Sequence, residues 1–326
     1  MASHARSAPR SGAPAHHRPG ASRRRSPGAV SARAAHGPLG VHGLVWAGGW
    51  SEAEARRAME GTREAGYDLI EIPVLDPWSI DVGMTRALLD EYGLQASCSL
   101  GLSFESDINS EDAACVARGR ETLLRALEVT SGIGGAYLCG VLCSALGKYP
   151  GPTTPAARAN SARTLREVAA AAADRGVTLG LEVVNRYESN LFNDAAGALE
   201  FVADVGADNV GVHLDTYHMN IEERSMRGAI AACGPLLKYL HVGESNRGYL
   251  GEGTVDWGEV WGGLADAGYA GPVTFESFSS AVVSPALSNV LCVWSDPWTD
   301  GADLARRANR FIRDGLAGAE PRRAAA

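Results

Sequence analysis

The chain has 326 residues, 45% of them hydrophobic, and a formal net charge of −8, enough to bury a large core in one domain or two. Seven Arg and no acid fall in the first 36 residues, so setting them aside leaves about −15 on residues 37–326. A body this acidic repels polyanions and argues against a nucleic-acid substrate.

The opening segment is otherwise little but Ala, Gly, Ser and Pro. It cannot bury enough apolar surface to offset its chain entropy and predicts a disordered basic tail over 1–36, read as a solvated extension or an over-called start. It lacks the apolar core of a secretory signal, although Arg23, Arg24 and Arg25 loosely suggest twin-arginine export or a transit peptide. No apolar run is long enough to span a membrane. The six cysteines form no CxxC pair, which predicts reduced core thiols in a cytoplasmic protein and no structural zinc.

In chain order, LGVHGLVWAGGW begins the fold as an apolar strand entering a Gly-rich loop. SEAEARRAMEGTREAGY predicts a helix capped by Ser51, with Glu54 three residues on and Gly66 as its stop. DLIEIPVLDP is the second strand, TRALLDEYGL the second helix and LQASCSLGL the third strand. A polar loop leads to a long helix over about 112–130, and GIGGAYLCGVLCSALG supplies the fourth strand. Helix 156–175 precedes strand VTLGLEVV. NDAAGALEFVADVG is a helix with Asn193 as cap and Gly206 as stop, followed by strand VGVHLD, the short helix SMRGAIAACG and strand LLKYLHV. Helix WGEVWGGLADAGY, strand PVTFES and helix ADLARRANRFIRDGL close the pattern. Eight alternating strand–helix units predict a parallel (β/α)8 TIM barrel over 37–316, with a flexible tail over 317–326. The competing doubly wound sheet lacks a GxGxxG after any strand.

Four consecutive apolar runs end in polar residues: Glu182, Asp215, His241 and Glu276, separated by 33, 26 and 35 residues. Each interval fits one strand, one helix and two loops, and strand ends on that side of a barrel are where active sites are built. A lone acid there is more often a helix cap than a ligand; the coincidence of four carries the argument. Of the four His in the body, His42, His213, His218 and His241, three fall within residues 213–241. His213 shares the strand face of Asp215 and is read as a core or supporting histidine, not a ligand. Three carboxylates and one imidazole suit Mn2+, Mg2+ or Co2+, although affinity alone would admit Zn2+.

The stretches LEVVNRYE, HLDTYHMNIEE, HVGESNRGYLGEGTVDW and FESF resemble the ketose 3-epimerases, the D-tagatose, D-allulose (psicose) and L-ribulose 3-epimerase group of the xylose-isomerase-like barrels, over residues 39–316. The resemblance implies that Glu182, Asp215, His241 and Glu276 hold a divalent metal, Mn2+ first, and that Glu182 and Glu276 are the acid/base pair. It places Glu188 near the terminal hydroxyls of the sugar, His218 and Arg247 at O1 and O2, and His42 and Trp50 in the pocket wall. Without it, Arg247 reads as a surface Arg in a Gly-flanked loop and Glu188 as a cap. VLCSALGKY departs from members that carry a Trp in that loop, which touches the far end of the pocket. The implied partner is a free ketose, and the implied assembly a homodimer or homotetramer. Trp257 is expected to pack the base of its helix.

Two carboxylates meet the needs of inverting a carbon beside a ketone: a proton leaves one face and another returns to the opposite face. Hydroxypyruvate isomerase and inosose dehydratase activities share the metal set, and are separated from this reading by the Glu188, His218 and Arg247 trio. An endonuclease IV-like hydrolase would need more histidines and a basic face. A non-catalytic sugar-binding barrel should lack one of the two glutamates.

Overall fold

The computed structural model describes residues 36–319. Eight strands, β1 (Leu39–His42), β2 (Leu69–Pro73), β3 (Gln95–Ser99), β4 (Tyr137–Gly140), β5 (Thr178–Glu182), β6 (Val210–Asp215), β7 (Leu237–Val242) and β8 (Val273–Phe275), close into a barrel in sequence order. Every pairing is parallel, including β1 with β8. The helices are α1 (Glu52–Glu64), α2 (Val82–Tyr92), α3 (Ala113–Gly132), α4 (Pro155–Ala173), α5 (Ala195–Val205), α6 (Thr216–Glu222), α7 (Met226–Cys233), α8 (Trp257–Ala267), α9 (Pro285–Val290) and α10 (Gly301–Gly318). None is long and apolar enough to cross a membrane. The expected basic tail lies outside the described residues except for His36, as does the C-terminal tail from 320 onward. The last helix runs two residues past the expected end at 316.

Side chains alternate along each strand. Ile70, Ile72, Leu179, Leu181, Val212, Leu214, Leu240 and Val242 are buried in the main apolar core, while the residues between them face the barrel interior. That interior is unusually polar for a parallel barrel, whose layers are commonly Val, Ile and Leu. Tyr239 OH lies 2.7 Å from Ser97 Oγ and 2.7 Å from Thr274 Oγ1, a buried chain of hydroxyls across β3, β7 and β8.

Helix starts follow the cap chemistry of the sequence. The Ser51 N–H donates to Glu54 at 3.0 Å, completing the expected reciprocal cap of α1. Asp81 accepts from the Met84 N–H and starts α2 three residues ahead of TRALLDEYGL. Asp194, and not Asn193, caps α5 by accepting from the Gly197 N–H at 2.8 Å. Asn193 instead donates to the Val184 and Ser189 carbonyls, tying the loop after β5 to the helix entry. The fourth strand is much shorter than its apolar run, because Gly140 turns out of it at φ +107°, where a Cβ would lie 2.3 Å from the Leu100 carbonyl oxygen. Helices α6 and α9 are additions to the expected pattern. The six cysteines are unpaired; five are buried, whereas Cys292 is exposed and in the left-handed region at φ +54°.

Candidate active site

Glu182, Asp215 and His241 stand at or near the C-terminal ends of β5, β6 and β7, and Glu276 is the first residue past β8. Parallel pairing brings them to one level: Asp215 is the register partner of His241, and the Glu276 N–H donates to the Val242 carbonyl at 3.1 Å. One donor atom from each of the four lies within 4.8 Å of every other. His241 Nδ1 is 3.3 Å from Glu276 Oε1 and 3.8 Å from Glu182 Oε1, and has no hydrogen-bond partner. All four are buried. Three carboxylates packed this closely are unfavourable without positive charge, and an imidazole nitrogen lacking a partner among them matches an oxygen-rich divalent-cation site.

The environment separates the two glutamates. Burial raises Glu182 to about 7, with Glu276 and Asp215 adding to the rise and His241 opposing it. Burial also acts to raise Glu276, but His241 and the Arg247 guanidinium outweigh it and hold the group below the ordinary carboxylate range. Two carboxylates of unlike acidity therefore face the same space.

His218, in α6, is driven down to about 3 by burial, against the pull of Asp215. Its Nδ1 accepts from the Asn185 N–H at 3.2 Å and lies 2.9 Å from Asn185 Nδ2. With Nδ1 an acceptor, the proton sits on Nε2, which faces Asp215, Glu182 and Glu188 at 3.6, 3.8 and 4.0 Å. His218 is thus a neutral donor aimed into the site. Glu188 is held by Asn185 Nδ2 at 2.8 Å. Arg247 reaches Glu276 at 2.7 Å and Asp215 at 3.2 Å, its guanidinium carbon 3.8 Å from the Tyr217 ring centroid.

That reach depends on an uncommon backbone. Arg247 is one of two non-Gly residues at positive φ among those described. Gly243 clears its path, since a Cβ there would stand 2.9 Å from Arg247 Nη1. The loop is organised by Glu244, whose fully buried carboxylate accepts from the N–H groups of Ser245, Gly251 and Val255 and from the Trp257 indole. Trp257 also stacks on Trp261 at the start of α8.

The site opens through two cavities that share Phe278 and Leu291. The inner one, about 80 Å³, is lined by Glu182, His241, Glu276 and His42; the outer one, about 400 Å³, by Glu188, Arg247, Asn185 and Tyr217. Trp50 lines neither: its indole N–H donates to Thr85 on α2 at 3.0 Å. His213 lies inside the barrel with neither ring nitrogen hydrogen-bonded, its ring edge-on to His241 at 4.2 Å. Two other close trios, Glu182–His213–His241 and Glu71–Cys139–His241, also contain His241. Neither His213 nor Glu71 nor Cys139 borders the inner cavity, and burial raises the Cys139 thiol well above its ordinary range.

Sequence reasoning passed over Asn185, Glu244, Phe278 and Glu71. Of these, Glu71 left a readable signal: a charged residue inside the buried strand DLIEIP demands a partner.

The profile of the family described as Xylose isomerase-like TIM barrel matches residues 59–314. An L-ribulose 3-epimerase of Methylomonas sp. is 52% identical over 274 residues, covering 84% of this chain and 96% of that protein. A ketose 3-epimerase of Arthrobacter globiformis is 48% identical over 278 residues, 85% of this chain and 96% of that protein. The crystal structure of a D-allulose 3-epimerase from Methylomonas sp. in complex with D-allulose superposes with a TM-score of 0.84 at 51% identity, covering 86% of this chain and 97% of the other.

Proposed function

The chain belongs to the xylose isomerase-like TIM barrels and, within them, to the ketose 3-epimerases, and from that membership we propose that it inverts C3 of free ketoses of the L-ribulose, D-allulose/D-fructose and D-tagatose class, using Glu182 and Glu276 as its proton carriers. The observation that carries the reading is the pair itself: two buried carboxylates from strands β5 and β8, driven apart in acidity, beside a common cavity.

One of the two accepts the C3 proton on one face of the sugar, and the other delivers a proton to the opposite face. The reverse reaction exchanges the roles. A single carboxylate would have to change faces within each turnover, and two fixed ones do not. Positioned proton transfer of this kind contributes about 10²- to 10⁴-fold in rate.

Glu182, Asp215, His241 and Glu276 would hold a divalent cation, for which their oxygen-rich set favours Mn2+, with Mg2+ or Co2+ as alternatives. Bound there, the cation supplies Lewis-acid stabilisation of negative charge on the substrate oxygens. His218, neutral and protonated on Nε2, donates to the carbonyl oxygen without giving up a charge to do so. Arg247 holds O1 and O2 and restrains Glu276 through its 2.7 Å contact. Glu188, in the outer cavity, receives the terminal hydroxyls. Among the described residues, the lining shows no cluster of Lys or Arg around Arg247, in keeping with unphosphorylated sugars.

The test uses chelator-stripped protein resupplied with Mn2+ and incubated in deuterated water with D-fructose, D-tagatose and L-ribulose, followed by NMR. The 3-epimer is expected, labelled with deuterium at C3, with chelator suppressing it. Ketoses that all remain unlabelled while Mn2+ binds would remove the epimerase reading.

A further inference from the structure

We propose that Glu71 is a positioning residue for the metal centre: it accepts the Nε2–H of His241 and thereby presents the bare Nδ1 of that ring to the carboxylates of Glu182, Asp215 and Glu276. The inference rests on the reading of those four residues as the cation-binding set.

Glu71 is in the middle of β2, between Ile70 and Ile72, and is fully buried. A carboxylate in such surroundings needs donors, and His241 supplies one, while the other oxygen has no hydrogen-bond partner. Oε2 is 2.8 Å from His241 Nε2, and Oε1 is 3.5 Å from His42 Nε2. The tautomer of His42 is set by its backbone neighbour: Nδ1 accepts from the Leu44 N–H at 3.2 Å, which leaves the proton on Nε2, facing Ser99 Oγ at 3.2 Å and Glu71. Burial acts to lower His241, but Glu71 and Glu276 outweigh it and hold the ring above its ordinary range. A cation at the four-residue set would displace the proton from Nδ1, and because an ionised carboxylate only accepts, the proton that remains would sit on Nε2. The other nitrogen, Nδ1, then carries a lone pair, and it is this atom that lies 3.3 Å from Glu276, 3.8 Å from Glu182 and without a hydrogen-bond partner.

The arrangement fixes three properties of His241 together. Its tautomer is set by the acceptor, its ring plane by the 2.8 Å contact, and its basicity is raised by the negative charge behind it. The far oxygen of Glu71 faces His42 Nε2 at 3.5 Å without a hydrogen bond.

The experiment titrates Mn2+ calorimetrically, at one pH, into chelator-stripped parent, Glu71→Gln and Glu71→Ala proteins whose folding is followed in parallel by circular dichroism and thermal unfolding. We expect Mn2+ affinity to fall by about 10- to 100-fold in both variants, with turnover of Glu71→Gln recovering toward the parent as Mn2+ is raised. A residue that merely filled the barrel would shift the unfolding midpoint and leave the Mn2+ affinity alone. Folded variants that bind Mn2+ as the parent does would overturn the positioning role while leaving the four-residue site intact. A parent that binds no Mn2+ would overturn both. A second measurement needs no variant: 15N-histidine NMR of the Mg2+-loaded parent should show His241 protonated on Nε2, and an Nδ1–H tautomer would overturn the proposal.

Discussion

Strands β5, β6 and β7 carry Glu182, Asp215 and His241 at or near their ends, with Glu276 just past β8, whereas β1–β4 end in His42, Pro73, Ser99 and Gly140. One half of the barrel carries the charge and the other shapes the space it acts in. Leu44, Pro73, Leu75, Leu100, Val141 and Leu146, all from the first half, line the inner cavity, with His42 and Ser99 as the polar residues from that half. The contrast explains why the site can hold several carboxylates at once: their charges are concentrated where the guanidinium of Arg247 and a cation can meet them, against a wall that offers little competing polarity. Glu71 crosses the division, since it belongs to β2 and bonds to β7.

The division breaks most sharply if the charged half loses one of the two proposed proton carriers. Glu182→Gln and Glu276→Gln should each slow C3 exchange by about 10²- to 10⁴-fold with circular dichroism unchanged. Solvent-deuterium incorporation into L-ribulose is the measurement, and labelling at the parental rate in both variants would dispose of the two-carboxylate scheme. A smaller break comes from Gly243→Ala, whose new Cβ would crowd Arg247 Nη1 from 2.9 Å. Losing a charge-assisted contact costs about 1.5–3 kcal/mol, so kcat/KM should drop roughly ten- to hundredfold. Parental kcat/KM would show that the guanidinium position does not matter.

Glu244→Gln tests the support of the same half without touching the acids. Its carboxylate serves three backbone N–H groups and an indole, and weakening them should lower urea-unfolding stability by about 1–3 kcal/mol and admit protease within residues 243–256. The mildest change belongs to the other half. Asp112 caps α3 by accepting from the Ala114 N–H at 2.8 Å, so Asp112→Ala should cost about 1 kcal/mol of stability and leave turnover as it was. A large loss of turnover there would mean that the two halves are less separate than their strand ends suggest.

The same division governs how much could be read from the sequence. Glu182, Asp215, His241 and Glu276 stood out because each interrupts an apolar run at a recurring spacing, and barrel closure brings such interruptions together. His218, an imidazole three residues past Asp215, could be read beside it, but Glu188 and Arg247 gave no comparable signal, lying in loops whose course is set by Asn185 and Glu244. They were reached through resemblance. Glu71 was hidden for the opposite reason, since a single acid in DLIEIP barely disturbs an apolar strand and its partner is 170 residues away. Strand and helix order were legible from apolar rhythm, but ends were decided by particulars. Gly140 cut β4 short, and Asn193 and Asp194, both good caps, were separated only by the bonds of Asn193 to Val184 and Ser189. Resemblance placed Trp50 in the pocket wall, but the hydroxyl of Thr85 draws its indole toward α2.

The hydroxyl chain through Tyr239 has a bearing on transplantation. Tyr239 joins Ser97 and Thr274 within the barrel, and its ring centroid is 5.6 Å from that of His241. Grafting the four proposed cation-binding side chains onto another eight-stranded barrel with an aliphatic interior would therefore supply the donors without their footing. The portable unit is two layers deep: the acids and His241 above, and Glu71, Ser97, Tyr239 and Thr274 beneath them.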